Sequence, residues 1–119
     1  MKLKDIEAYV LALPGARLEF PFGPADRIYK VGGKMFAGSG GKLNAQARVS
    51  FKCSDVAYEM LIARAGVIPA PYLARAKWVR VEDPRAMSAD ELRARLAEAH
   101  RLVLAKLPKK VRAALDEAG

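Results

Sequence analysis

Few residues in this sequence can do covalent chemistry, and their surroundings argue against most of it. The chain of 119 residues holds one cysteine, Cys53, and one histidine, His100. A thiolate–imidazole pair would require those two to meet in space. Cys53 closes a strand-like run and precedes a helix start at Ser54, where the positive end of a helix lowers a thiol pKa. The plainer reading is a buried or incidental thiol. His100 lies in a helical pattern beside Glu98 and Arg101 and reads as a solvated or partly packed residue. One cysteine and one histidine do not make a zinc site, which takes about four such ligands, so no metal and no cofactor are expected. The acids Asp5, Glu7, Glu19, Asp26, Asp55 and Glu59, then Glu82 onward, are scattered. None has a partner at metal-ligand or glycosidase spacing. The expectation is a protein without catalytic residues.

The segment Gly38-Ser39-Gly40-Gly41-Lys42 invites comparison with phosphate-binding loops, and the comparison fails. A P-loop needs G-x-x-x-x-G-K followed by Ser or Thr at the start of a helix. Here Phe36 stands where the first glycine belongs, Leu43 follows the lysine, and the next element looks like a strand. The dinucleotide pattern G-x-G-x-x-G fails at Leu43 as well. A flexible hairpin loop is the reading, a wing whose Lys42 could touch phosphate.

Charge is the stronger chemical signal. The formal net charge is +8, and no acid occurs from Arg27 to Cys53. Such a balance favours an anionic partner, with solubility as the bland alternative. Lys30, Lys34, Lys42, Arg48, Lys52 and Arg80 are candidate nucleic-acid contacts on or near one sheet face, with Trp78 beside them as a base-stacking residue, the alternative being that Trp78 is core and the lysines an ordinary solvated face. Lys109, Lys110 and Arg112 form a second basic patch, free of acids until Asp116. No helix carries side chains suited to reading the major groove, so binding would run through the backbone with weak sequence specificity. The rival is a non-catalytic accessory module whose open sheet face meets an acidic protein or a small anion.

The elements that position these groups follow from periodicity. Residues 2–13 read as a helix with Leu3, Ile6, Tyr9, Val10 and Leu13 on one stripe, stopped by Pro14-Gly15. Residues 16–26 read as a short extended piece and a turn, with Phe20 and Phe22 as packing residues and an aromatic ligand contact as the alternative. Gly32-Gly33 between two β-rich runs marks a two-residue hairpin with arms 27–31 and 34–39. Strict alternation across that turn buries Tyr29, Val31 and Phe36 and places Ile28, Lys30, Met35 and Ala37 outside. Residues 46–52 alternate too, with Ala47, Val49 and Phe51 inward and Arg48, Ser50 and Lys52 outward. Ser54 caps a helix over 54–65 whose apolar surface is assigned to Val56, Met60, Ile62 and Ala63. Residues 66–76 read as irregular with a helical turn near Tyr72, Leu73 and Arg75. In 77–82, Val79 and Val81 face the core and Trp78, Arg80 and Glu82 the open side. A capping box at Ser88–Glu91 begins a long helix with Leu92, Leu96, Ala99 and Val103 inward. Pro108 breaks it, and a short amphipathic tail follows.

These patterns describe one α+β domain: an antiparallel sheet with helices packed on one face. The segment 1–15 does not read as a signal peptide, because Asp5 and Glu7 interrupt its apolar pattern. No apolar run approaches the roughly 20 residues of a membrane span. With its single cysteine, the chain reads as cytoplasmic, a monomer or weak dimer.

The blocks FPFGP (20–24), KVGGKMFA (30–37), RVSFKC (48–53), PAPYLARAKWV (69–79) and LVLAKLPKK (102–110) together resemble the MmcQ/YjbR-type proteins over nearly the whole chain. The resemblance implies a CyaY-like two-layer fold and a proposed role as a bacterial "double-wing" DNA-binding protein. It brings no catalytic residues. PYLARAKW departs from the family wording, which often has a His and an Asn before the Trp, so no role of those residues carries over.

Overall fold

The computed structural model describes residues 1–43 and 45–118. The chain runs α1 (Leu3–Leu11), β1 (Ala16–Glu19), β2 (Asp26–Val31), β3 (Lys34–Gly40), β4 (Arg48–Lys52), α2 (Asp55–Ile62), β5 (Val67–Pro69), β6 (Trp78–Val81), α3 (Ala89–Ala105) and α4 (Lys109–Ala118), with short 3₁₀ turns at Ala74–Ala76 and Pro84–Ala86. The six strands form one antiparallel sheet in the order β1-β2-β3-β4-β6-β5. Helices cover one face only, as the alternating strands require.

The hairpin between β2 and β3 turns on Gly32 and Gly33, whose φ angles of 58° and 80° suit the mirror-image turn that matches strand twist. Val31 pairs with Lys34 and Lys30 with Met35, but Tyr29 then pairs with Ala37. Phe36 is an extra residue, a β-bulge, so alternation resumes one step out of phase. Phe36 and Ala37 are consequently both buried, which moves Ala37 from the expected open face to the core. The same shift continues β3 through Gly40. Gly38, Ser39 and Gly40 are therefore strand residues, paired on both sides, and not a flexible loop.

On the covered face, Leu3, Ile6 and Val10 of α1 and Leu92, Leu96, Ala99 and Val103 of α3 close over Tyr29, Val49, Phe51 and Val79. His100 belongs to this core and is not solvated. Its Nε2 lies 2.7 Å from the Pro14 carbonyl, to which it donates, and its ring meets the Phe36 ring edge-on at 5.2 Å. Ser54 and Ser88 cap α2 and α3 by accepting from the Ala57 and Glu91 amides. The Glu91 carboxylate, however, pairs with Arg64 at 2.7 Å instead of completing the expected box.

Helix α2 packs on the β5–β6 edge through Tyr58 and Leu61, leaving Val56 and Met60 exposed. In an eight-residue helix the docking surface decides which stripe is buried. Val67–Pro69, expected to be irregular, is a short edge strand, with Pro69 blunting the edge.

Helix α4 closes the far end of the domain. A Cβ built on Gly32 would stand 2.5 Å from Cδ1 of Leu107 and 3.2 Å from Cγ1 of Val111, so the turn glycine is also the seat of α4. His100→Ala removes a buried hydrogen bond and a packed ring and should cost about 3 kcal/mol. Ser88→Ala removes one cap and should cost about 1 kcal/mol. Urea midpoints at unchanged m-value measure both; an equal, small loss for the two would mean that His100 is not a core residue.

Candidate functional site

The bulge in β3 determines what the uncovered face presents. Beyond it, Gly38 and Gly40 face outward and Ser39 inward, where its Oγ lies 2.7 Å from the Tyr29 hydroxyl. Across the sheet, Ile28, Gly38, Ser50 and Arg80 stand in one row, and Asp26, Gly40 and Arg48 in the next. The glycines lower the middle of the face. A Cβ at Gly38 would come within 3.3 Å of the Arg27 carbonyl and 3.4 Å of Ile28 Cδ1.

Two connections raise walls around this low floor. The β1–β2 loop brings Phe22 from one side, and the β5–β6 connection brings Pro71, Tyr72 and Leu73 from the other. Together they enclose a cleft of about 500 Å³, with Met35 and Trp78 completing its apolar lining. The second wall is clamped by its backbone: the Ala70 amide donates to the Trp78 carbonyl at 3.0 Å, and the Trp78 amide to the Leu73 carbonyl at 3.2 Å. Trp78 thus lies toward the open face, as alternation requires. It is only 4% exposed, however, which is the core placement that stood as the alternative to a surface stacking role. The wall was invisible in the sequence because PAPYL has no periodicity.

The ten candidate contacts do not form one surface. Arg48 and Arg80 line the cleft. Arg48 is exposed and makes no ion pair among the described residues, while Arg80 Nη1 sits 3.3 Å from Glu82 Oε1 in a solvent-accessible pair of little strength. Lys30 is bound to Glu19 at 3.1 Å. Lys52 donates to the Ala76 carbonyl, and its pKa is lowered by partial burial first and by Lys106 second. Lys34 projects from the hairpin end. Lys42 is exposed in a connection held against α1, where the Lys4 amide donates to the Leu43 carbonyl at 3.0 Å. Lys109, Lys110 and Arg112 occupy the exposed side of α4, which seats on Gly15 and Gly32, and none lines the cleft. Conversely, Phe22, read as packing with an aromatic ligand contact as the alternative, stands at the cleft, as does Tyr72, read only as part of a helical turn. The signal for both was an aromatic residue set among prolines and glycines, where no core can reach it.

Cys53 and His100 do not form a pair. His100 is committed to Pro14, and Cys53 is buried, its Sγ directed at the Phe51 carbonyl. Burial raises the Cys53 thiol to about 11, partly opposed by Arg95 and Lys52. Among the described residues there is no cluster of three or more His, Cys, Asp or Glu side chains able to hold a metal, and no helix long and apolar enough to cross a membrane.

A family model described as YjbR matches residues 11–102, most of the chain. The chain belongs to the YjbR family. Among solved structures, this YjbR-family chain is similar to a Deinococcus radiodurans protein with the family-model domain DUF419, at 25% identity and TM-score 0.83, over 97% of this chain and 88% of that one. A Pseudomonas syringae protein shares the fold at 14% identity and TM-score 0.71, over 86% of this chain and 98% of that one. A comparison with curated proteins returns no match.

The buried acids make a pH prediction. Tyr29 is raised to about 12, chiefly by burial, and Cys53 to about 11, so both stay protonated in the fold at pH values where the unfolded chain ionises them. Their contribution is fully present below pH 9 and is lost as pH rises through 11 and then 12. Denaturation midpoints should fall steadily above pH 9, and Cys53→Ala should make the first part of that fall shallower. Thiol reagents should label folded protein at pH 8 far more slowly than unfolded protein.

Proposed function

We propose that this YjbR-family chain is a non-catalytic cytoplasmic protein, a monomer or weak dimer, that binds DNA through the open face of its sheet. One observation carries the reading. The uncovered face places Arg48 and Arg80 at a single aromatic-walled cleft on a chain of net charge +8. Cations so placed gain affinity from phosphate by counterion release, and the remaining basic residues supply a diffuse attractive field. The distribution of contacts differs from a uniformly basic face. Lys30 and Lys52 are engaged within the protein, so Arg48 and Arg80 are the principal contacts, and Lys34 and Lys42 act as peripheral charges. The α4 cluster is a second patch outside the cleft.

A second reading rests on the cleft's volume, about 500 Å³, which falls in the range of small-ligand sites. On that reading the face takes a free organic anion and the polymer is incidental.

Anisotropy titrations of a labelled oligonucleotide at several salt concentrations test the DNA reading. Log affinity should fall linearly with log salt. Arg48→Ala should flatten that slope by about one phosphate contact and the Arg48→Ala, Arg80→Ala pair by about two, with Lys109→Ala changing it little. Absence of binding to any DNA at low salt would sink the proposal.

A further inference from the structure

We infer that the cleft on the open sheet face receives one unpaired base of a single-stranded nucleic acid, with Tyr72 and Phe22 as its stacking residues. The inference rests on the DNA-binding reading and deepens it.

Arg48 and Arg80 stand at a recess, with walls from the β1–β2 and β5–β6 connections. Paired bases are locked inside a stack, and a duplex brings a convex phosphate surface to such a recess. A base enters a pocket only when it is out of the stack. A cleft of about 500 Å³ has room for a single nucleotide.

The interior is mostly apolar and aromatic, with Ser50, Arg48 and Arg80 among its polar groups and Asp26 at its edge. Aromatic faces accept any base, and arginine supplies both phosphate contact and stacking. The two acids near the arginines, Asp26 and Glu82, limit the local positive charge. Charge alone is therefore a poor account of this site, and base contact has to supply part of the affinity.

Tyr72 has φ 65°, a left-handed conformation that bulky residues rarely adopt, and its side chain is fully exposed. A tyrosine there buries nothing that would offset the cost, while a glycine would relax it. The clamp formed by Ala70, Leu73 and Trp78 holds the residue in that state. Phe22, on the facing connection, is likewise a large apolar side chain left 74% exposed at the cleft. Both residues contribute little to the fold and are well placed for a flat apolar ligand.

The test uses the full chain with three labelled probes: a thymidine dodecamer, a blunt duplex of the same length, and an abasic strand of the same charge as the dodecamer. The dodecamer should bind on the order of tenfold tighter than either of the others. Tyr72→Gly and Phe22→Ala should each remove most of that difference. Thermal midpoints should be unchanged for Phe22→Ala and unchanged or raised for Tyr72→Gly, a combination that a structural role for Tyr72 cannot produce. Trp78 emission should respond to the dodecamer and not to the duplex. If duplex or abasic strand binds as tightly as the dodecamer, the inference is overturned while DNA binding stands. If none of the three binds, both fail. Loss of stability in Tyr72→Gly would also overturn the inference, because the residue would then be structural.

Discussion

One extra residue in β3 organises both faces of this protein. Phe36 interrupts the two-residue period of the hairpin, and every position after it changes sides. Had the alternation run unbroken, Ser39 would face outward and the glycines would lie against the helices. The bulge instead gives the core Ala37 and the Ser39 hydroxyl, which meets Tyr29. The open face receives two positions with no side chain at all. A flat, polar sheet surface becomes a recess because of that count. The site and the core are thus set by the same local irregularity, as is common where a sheet is shaped for a purpose.

That irregularity also marks where the sequence stops being legible. The Gly32-Gly33 turn, the alternation of Arg48-Val49-Ser50-Phe51-Lys52 and the caps at Ser54 and Ser88 are local codes, and each is readable from a few neighbouring residues. A bulge is a two-strand property. Nothing within residues 34–40 says that Phe36 will be skipped by its partner, so the faces of Ala37 and Gly38 cannot be read from parity. Helix α2 fails for a related reason. Both of its stripes are apolar, and only the position of β5 and β6 selects Tyr58 and Leu61 over Val56 and Met60. His100 looked polar in a string of helical letters because its partner, the Pro14 carbonyl, is distant in the chain. Family resemblance captured the architecture as a whole and none of these details.

Charge behaves the same way. As composition, the excess of lysine and arginine suggests a broad adhesive surface. In the fold, individual cations have individual fates: one reaches Glu19, one reaches the Ala76 carbonyl, and three ride on the outer side of α4. What is left at the centre of the open face is a pair of arginines and a set of aromatic walls. Net charge governs approach over a distance comparable to the screening length, whereas the shape of the recess governs what can remain. The two features therefore belong to different stages of an encounter, and a protein with the same composition and a flat sheet would share only the first.

The seating of α4 on the Gly32 turn has a consequence for biosynthesis. The helix is made after the whole sheet, and its receptor is a hairpin made well before it. The sheet must therefore hold that hairpin in order, with an unfilled notch at the turn, until α4 has been made. Pairing through the tight β2–β3 turn is local and inexpensive in loop entropy, while closure by Leu107 and Val111 spans most of the chain. Until α4 docks, a nascent chain leaves apolar surface open at the turn, visible to chaperones and proteases.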